Sequence, residues 1–322
     1  MKVLVTGGSG YIGAHTVRAL LERGDDVIVV DDLVTGRESR ISRTPLIHTD
    51  LASEFSIPTL IDTMNNHDVE AVIHFAARKQ VGESVERPAW YYQQNIGGLA
   101  NLLIAMENIG VKKIVFSSSA AVYGQANGAI EETHPTEPIN PYGQTKLVGE
   151  QLISASASAW GLSAASLRYF NVAGAGSAEL ADTKALNLVP IVFEAIEAGK
   201  APVIYGGDYA TADGTCVRDY VHVVDVAEAH LATLDWLDGI PGNHAMNIGT
   251  GVGTSVKEMI DEISTVSGIS VMAELRERRA GDPAAVVAVI DQIRSATGWQ
   301  ARFGLTEIVR SAWDAHQESR GN

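Results

Sequence analysis

Three side chains near the middle of the chain offer chemistry. Tyr142 and Lys146, in "NPYGQTKLVGE", stand four residues apart and so share one helical face. Ser119 closes the serine run of "FSSSAAVYG" (116–124), where an apolar strand ends. A phenol is a poor base at neutral pH, but a nearby positive charge favours its ionised form. A lysine ammonium one turn away supplies such a charge and is predicted to lower the pKa of Tyr142. A serine hydroxyl beside the pair would hydrogen-bond a substrate hydroxyl. Singly, each has a plainer use: a half-buried ring beside a surface lysine, or a serine that caps a turn. Their meaning depends on what lies upstream.

Upstream, "VLVTGGSGYIGAHTVRALLERG" places Gly7, Gly10 and Gly13 in G-x-x-G-x-x-G spacing, after a strand and at the start of a helix, with Tyr11 and Ile12 inside the turn. Such glycines let a pyrophosphate approach backbone N–H groups at the helix N-terminus. Asp31 closes the second apolar run 21 residues after Gly10, the spacing of an acid that accepts hydrogen bonds from ribose hydroxyls. Asp31 with Asp32 would repel a 2′-phosphate, so the predicted cofactor is NAD rather than NADP. A positive nicotinamide would then add to Lys146 in favouring the Tyr142 phenolate. Asp50, with Leu51 after it, is a candidate for the adenine end; a solvated turn is its ordinary alternative.

Alternating elements must hold these groups in place. Residues 3–5, 27–30, 72–75, 114–116 and 165–169 are short runs rich in valine and isoleucine without polar alternation, as expected of strands covered on both faces. Helices are predicted over 12–23, 88–108 and 141–160, with Gly24 and Gly110 as C-terminal caps and Pro88 and Pro141 in first turns. The alternation predicts an α/β fold with a Rossmann-type doubly wound parallel sheet. We assign 1–170 to this NAD-binding domain, with segments near 218–240 packing back on it. Past Asn171 the rhythm breaks, and 171–322 is expected to form a smaller mixed α/β substrate-binding domain with helices near 188–198, 225–237 and 255–267.

Composition narrows the class. At 322 residues, with 46% hydrophobic and 20% charged residues, the chain suits a globular protein. The net charge of -15 argues against sequence-independent binding to nucleic acid or an anionic membrane. A single cysteine, Cys216, forms no internal disulfide and fits a reducing compartment. With neither a leader pattern nor a long apolar run, a cytoplasmic location is expected. The nine histidines show no metal-site spacing, so no metal is predicted, and His74 and His222 read as satisfied core histidines.

In combination, T-G-G-x-G-Y-I-G (6–13), S-S-S-A-A-V-Y-G (117–124) and Y-G-Q-T-K (142–146) resemble the extended short-chain dehydrogenase/reductase family. The stretches 74–95, 167–175, 213–227 and 247–256 bring the chain closest to its bacterial UDP-glucose 4-epimerases. The similarity covers nearly the whole chain and weakens after about Gly281. This resemblance implies that Tyr142 is the acid/base, that Ser119 hydrogen-bonds the sugar O4, and that Lys146 binds the nicotinamide ribose. It also implies cofactor contacts from Phe75, Ala76, Ala77, Lys79, Asn95, Ser117 and Phe170. UDP-sugar contacts are implied for Lys79, Asn171, Asn187, Arg218, Arg279, Asp282 and Val286, the two arginines clamping the pyrophosphate. The long helices around Asn95 and Lys146 match those that pair in family homodimers.

The alanines after Ser119 select among reactions. The resemblance implies a shared first step, oxidation of the sugar C4 to a ketone. Dehydratases of the family carry an Asp-Glu pair after the serine or threonine, where this chain has Ala120 and Ala121. Neither moves a proton, so the keto sugar's simplest fate is return of the hydride to either face, which is 4-epimerisation. Where the family gates the C2 substituent, this chain carries Val286 rather than a large tyrosine, so UDP-GlcNAc and UDP-GalNAc are expected as further substrates. Cys216 replaces a more usual glycine and reads as a buried small thiol. Three alternatives stay open: a C4 epimerase of a UDP-pentose or uronic acid, a non-catalytic dinucleotide sensor, and a net dehydrogenase.

Overall fold

The computed structural model describes residues 1–182, 184, 187–279 and 281–319. The first half runs β1 (Lys2–Thr6), α1 (Tyr11–Arg23), β2 (Asp26–Asp31), β3 (Leu46–His48), α2 (Ser56–Asn66), β4 (Ala71–His74), α3 (Val81–Glu86), α4 (Pro88–Tyr92), α5 (Gly98–Ile109), β5 (Lys113–Ser119), β6 (Gly128–Ile130), α6 (Pro141–Trp160) and β7 (Ser163–Tyr169). The rest comprises β8 (Asn171–Ala173), α7 (Leu188–Glu197), β9 (Val203–Tyr205), β10 (Val217–His222), α8 (Val223–Trp236), β11 (Gly242–Ile248), β12 (Gly253–Ser255), α9 (Val256–Ser267), β13 (Glu274–Arg276), β14 (Ala285–Ala288), α10 (Asp291–Thr297) and α11 (Leu305–Glu318).

Seven parallel strands form the main sheet in the order β11-β7-β5-β4-β1-β2-β3. Along β1 the side chains alternate between faces. Val3 and Val5 join Val17, Leu20, Val226 and Leu234 on one side, while Leu4 joins Leu99, Leu102, Met106 and Ile153 on the other. Helices therefore cover both faces, which is why these strands carry no polar alternation. Sheet order reverses between β1's two neighbours, β2 and β4, and this opens a crevice at the carboxyl ends of the strands.

Two features were invisible in the sequence pattern. The edge strand β11 is polar in part, with Asn243, His244 and Asn247, because an edge needs no apolar run on both faces. The stretch predicted as one helix over 88–108 contains a π-helical segment, Gln93–Gly97, between α4 and α5. Gly24 and Gly110 close α1 and α5 as expected, at φ of 92° and 82°.

Four strands of the second half and β6 of the first build a five-stranded sheet in which β10 pairs with β12, β14 and β8, and β14 with β6. Its own core gathers Val192, Phe193, Tyr220, Met259, Ile263, Ile308 and Val309. Among the described residues no helix is long and apolar enough to cross a membrane.

Candidate active site

A cavity of about 360 Å³ lies in the crevice at the carboxyl edge of the main sheet. It brings together Gly7, Gly10, Tyr11, Ile12, Gly13, Asp31, Asp32, Asp50, Leu51, Phe75, Ala76, Ala77, Lys79, Ser117, Tyr142 and Lys146. Of the cofactor residues expected from sequence, Asn95 and Phe170 are not in its wall.

The glycine turn fits an anion. Gly10 occupies the N-cap of α1 without a side-chain cap, and the first turn holds no acid, so its amides keep their positive partial charge for a ligand. A Cβ on Gly13 would stand 2.2 Å from the Gly7 carbonyl oxygen, so no other residue lets helix and turn approach so closely. Asp31 is fixed at the end of β2 by the backbone N–H groups of Ser9 and Leu33, at 2.9 and 2.8 Å. Burial pushes its carboxyl up, against these two hydrogen bonds. Beside it, Asp32 pairs with Arg78, which also lines the cavity. An anion site at a helix start and a fixed carboxylate on the next strand together suit a dinucleotide.

At the other end Tyr142 and Lys146 occupy the first turns of α6, capped by Asn140, whose Oδ1 accepts from Gly143 N at 2.9 Å. Gly143 permits a close approach to the turn after β5, since a Cβ there would lie 2.6 Å from the Ala121 carbonyl oxygen. That approach sets the Tyr142 phenol beside the Ser119 side chain, which favours its ionised form. Lys146 Nζ donates to the Ser117 carbonyl at 2.7 Å and lies 5.9 Å from the Tyr142 ring centroid. Burial holds the Lys146 ammonium down to about 7, partly opposed by Glu150.

The expected lowering of the Tyr142 pKa by Lys146 is corrected here. Burial raises the phenol's pKa, and the group that lowers it is Ser119, not the lysine. Burial holds Lys146 itself down to about 7, so its charge is lost before a phenol raised by burial ionises.

Beneath these groups runs a buried polar chain. Glu150, one turn beyond Lys146, accepts from Arg168 Nε at 2.9 Å and Nη2 at 2.6 Å, and from Ser118 Oγ. Arg168 Nη1 donates to Tyr123 Oη at 2.9 Å, and Tyr123 Oη donates to Asn247 Oδ1 at 2.7 Å. The chain ties β5, α6, β7, β11 and the Ala120–Tyr123 turn together under the reacting groups.

Asn95 supports rather than lines the cavity. Its Oδ1 accepts from Arg78 N at 2.7 Å, and its Nδ2 donates to Arg78 O and Thr145 Oγ1, each at 3.0 Å. Phe170 packs instead with Val122, Tyr123 and Ile130. Tyr169, unmarked in the sequence, lines the cavity, where its hydroxyl shares a 2.7 Å hydrogen bond with His230 Nε2. Arg78 was likewise passed over, although its neighbour Lys79 was singled out.

The residues expected to hold substrate divide among the main cavity, a smaller adjoining one and the second sheet. Lys79 and Tyr142 line the main cavity, and Ser119 adjoins Tyr142. Asn187 donates to Asp182 Oδ2 at 2.8 Å in a smaller adjoining cavity that shares Tyr11 and Asp182 with the first. On the second sheet, Arg218 lies 3.6 Å from Asp282 and in register with Val286, while Tyr220 pairs with Asn171. Arg279 stacks 4.0 Å over the Tyr205 ring. Val286 packs on the same cluster as Ala120, the residue after Ser119, which joins this sheet to the catalytic turn. His74 shares a 2.6 Å hydrogen bond with Thr6 Oγ1, and His222 Nδ1 accepts from Val224 N at 3.1 Å; both are satisfied core histidines.

With this geometry in hand, comparison with known proteins is direct. The chain is 43% identical over 326 residues to the UDP-glucose 4-epimerase of Halalkalibacterium halodurans, covering 99% of this chain and 96% of that one. A crystal structure of UDP-glucose 4-epimerase from Stenotrophomonas maltophila, with bound NAD and formylated UDP-arabinopyranose, superposes with a TM-score of 0.92 at 39% identity over the full length of both chains. The UDP-Glc/GlcNAc 4-epimerase of Campylobacter jejuni matches with a TM-score of 0.86 at 37% identity, over 98% of this chain and 99% of that one. The model of the NAD dependent epimerase/dehydratase family matches residues 3–249, and with the cavity, the glycine turn and the Tyr142–Ser119 pair in place, the chain belongs to that family.

Proposed function

We propose that this protein inverts C4 of UDP-hexoses, interconverting UDP-galactose and UDP-glucose with tightly held NAD that is not consumed. One observation carries the reading. Tyr142 lines a dinucleotide cavity with Ser119 beside it, close enough to favour its ionised form, and the two residues after Ser119, Ala120 and Ala121, bear no acid or base.

The Gly7–Gly13 turn would take the cofactor pyrophosphate, Asp31 the adenosine ribose and Lys146 the nicotinamide ribose. Bound NAD supplies a reversible hydride acceptor for the sugar C4. Burial favours the neutral phenol, so the positive charge of the bound nicotinamide would supply what favours the phenolate. As phenolate, Tyr142 Oη would take the proton from the sugar O4 and, as phenol, give it back, with Ser119 Oγ placed to relay it. Lys146 gives one N–H to the Ser117 carbonyl, which leaves two donors for the nicotinamide ribose. With no second proton-transferring pair after Ser119, the oxidised sugar has reversal open to it, and inversion follows when it presents its other face.

In the second unit, Arg218, Arg279 and Asp282 would hold the UDP pyrophosphate, with Asn171 and Asn187 on the nucleotide-sugar. A guanidinium binds two phosphate oxygens at once. Val286, smaller than a tyrosine and packed on the same cluster as Ala120, would leave room at C2, so UDP-GlcNAc and UDP-GalNAc are included as substrates. The relative from Campylobacter jejuni, named for both sugars, agrees with that breadth. We place the enzyme in the cytoplasm, as a homodimer through α5 and α6; α5 carries the exposed Ile104.

The test is incubation of purified protein with UDP-galactose, no cofactor added, and chromatography of the UDP-sugars. UDP-glucose rising to a fixed ratio supports the reading. No conversion even with NAD supplied overturns it in favour of a pentose, uronic acid or sensor role. Steady accumulation of free NADH identifies a net dehydrogenase.

A further inference from the structure

The proposed reaction depends on NAD staying bound between turnovers, and the cavity has a device for this at one end. The helix α1 N-terminus marks the place of the pyrophosphate and Tyr142 that of the nicotinamide. The remaining end, lined by Asp31, Asp32, Asp50, Leu51, Arg78 and Gln94, is therefore the adenosine end.

Here a chain of side chains crosses from loop to loop. Asp32, after β2, pairs with Arg78 Nη2. Arg78, after β4, donates from Nη2 and Nε to Gln94 Oε1, at 2.6 and 3.0 Å. Gln94 Nε2 donates to Asp50 Oδ2, in the loop after β3, at 3.2 Å. The loops that follow β2, β3 and β4 are thus tied across the cavity rim by one guanidinium and one amide.

Arg78 is itself held on several sides. Asn95 grips its backbone N–H and C=O, and its guanidinium lies 5.3 Å from the Trp90 ring centroid. Gln94 and Asn95 both belong to the π-helical segment Gln93–Gly97. Such segments widen a helix by one residue and occur preferentially at functional sites; this one turns two successive amides toward Arg78. Asp31, Asp32 and Asp50 line the same end, and Arg78 supplies a compensating cation among them. Its side chain is 13% exposed and that of Asp32 24%, so the pair is only partly screened by solvent.

We propose that Arg78 is a cofactor-retention residue, closing a rim of Asp32, Gln94 and Asp50 across the adenosine end and slowing the departure of NAD. The proposal rests on the NAD reading above, and its test separates the two. Protein stripped of nucleotide is titrated with NAD by calorimetry, and loaded protein is dialysed while its remaining NAD is measured after acid release.

For Arg78→Met, which keeps the length and loses the charge, NAD affinity is expected to fall about tenfold, the scale of one charge-assisted contact, with correspondingly faster loss on dialysis. Arg78→Lys falls between, because an ammonium cannot reproduce the planar two-acceptor grip. High salt speeds NAD loss from the wild type and leaves the Arg78→Met rate unchanged. A change in affinity smaller than about threefold in Arg78→Met overturns the proposal while leaving the cofactor reading intact. A wild-type chain that takes up no NAD at all overturns the cofactor reading itself. Should Arg78→Met not fold, Gln94→Leu, which removes the middle of the rim, is judged by the same titration and the same threshold.

Discussion

Glu150 and Arg168 offer the sharpest test of how the site is held. Both side chains are 7% exposed, and they meet in a two-pronged pair with contacts of 2.9 and 2.6 Å. Replacing Glu150 with leucine leaves a buried guanidinium with two donors unmet and Ser118 without its acceptor. Removing one partner of a buried pair costs about 3–5 kcal/mol, because the charge left behind has neither water nor counter-charge. Unfolding entropy near ~2.1 cal/mol/K per residue, over 322 residues, amounts to roughly 0.7 kcal/mol/K. The melting temperature should therefore drop by about 4–7 °C.

The assay is scanning calorimetry at pH 7 under saturating NAD, since an unequal ligand load would itself move the melting point. The double variant Glu150→Leu/Arg168→Met should recover a measurable share of the loss, because the uncompensated guanidinium is gone while Ser118 still lacks a partner. A Glu150→Leu protein melting within about 1.5 °C of the wild type, or a double variant less stable than the single one, would refute the reasoning.

Three further outcomes are expected. Tyr142→Phe should lose about 10²–10⁴ in kcat while keeping its NAD content, and unchanged turnover would remove the tyrosine from the acid/base role. Burial holds His15, His222 and His230 to about 4 and His74 to about 3, whereas the unfolded chain protonates histidine near ~6.5. The unfolded state thus binds more protons as pH falls from 6.5 to 4, and stability is lost through that window and is level above it as far as these four groups go. Unfolding at pH 5 should take up about three to four protons from them, read from calorimetric enthalpies in buffers of different ionisation heat; no uptake would contradict their buried, neutral state. Val286→Tyr should abolish turnover of UDP-GalNAc and spare UDP-galactose, and equal loss of both would show that the side chain does not gate C2.

What the sequence disclosed was governed by short-range rules. The glycine turn, the acid closing β2 and the Tyr142–Lys146 spacing each depend on residues within one strand-turn-helix unit or one helical turn. Strands covered on both faces are continuous apolar runs, so β1, β2, β4, β5 and β7 were all visible. Strand β11 was not, because an edge strand can carry Asn243 and Asn247 without breaking any packing rule. Glu150 and Arg168 are equally mute in sequence. A carboxylate on α6 and a guanidinium on β7 each look like surface charge until the fold buries them against one another.

Tyr169 and Phe170 show how far neighbours can diverge. Side chains along a strand alternate between faces, so a step of one residue moves a side chain to the opposite side of the sheet. Tyr169 lies in register with Ser119 on β5 and Ile248 on β11, and this pairing directs it to the cavity and sends Phe170 to the cluster behind Ala120. Arg78 and Lys79 are adjacent cations in the loop after β4, and both line the cavity. Only the arginine meets Asp32 and Gln94, and only because a π-helical turn 15 residues downstream rotates Gln94 and Asn95 toward it. An extra residue in a helical turn leaves no mark in hydrophobic periodicity. A residue whose task is to hold a ligand in place, rather than to react with it, is therefore found by its partners and not by its neighbours in the chain.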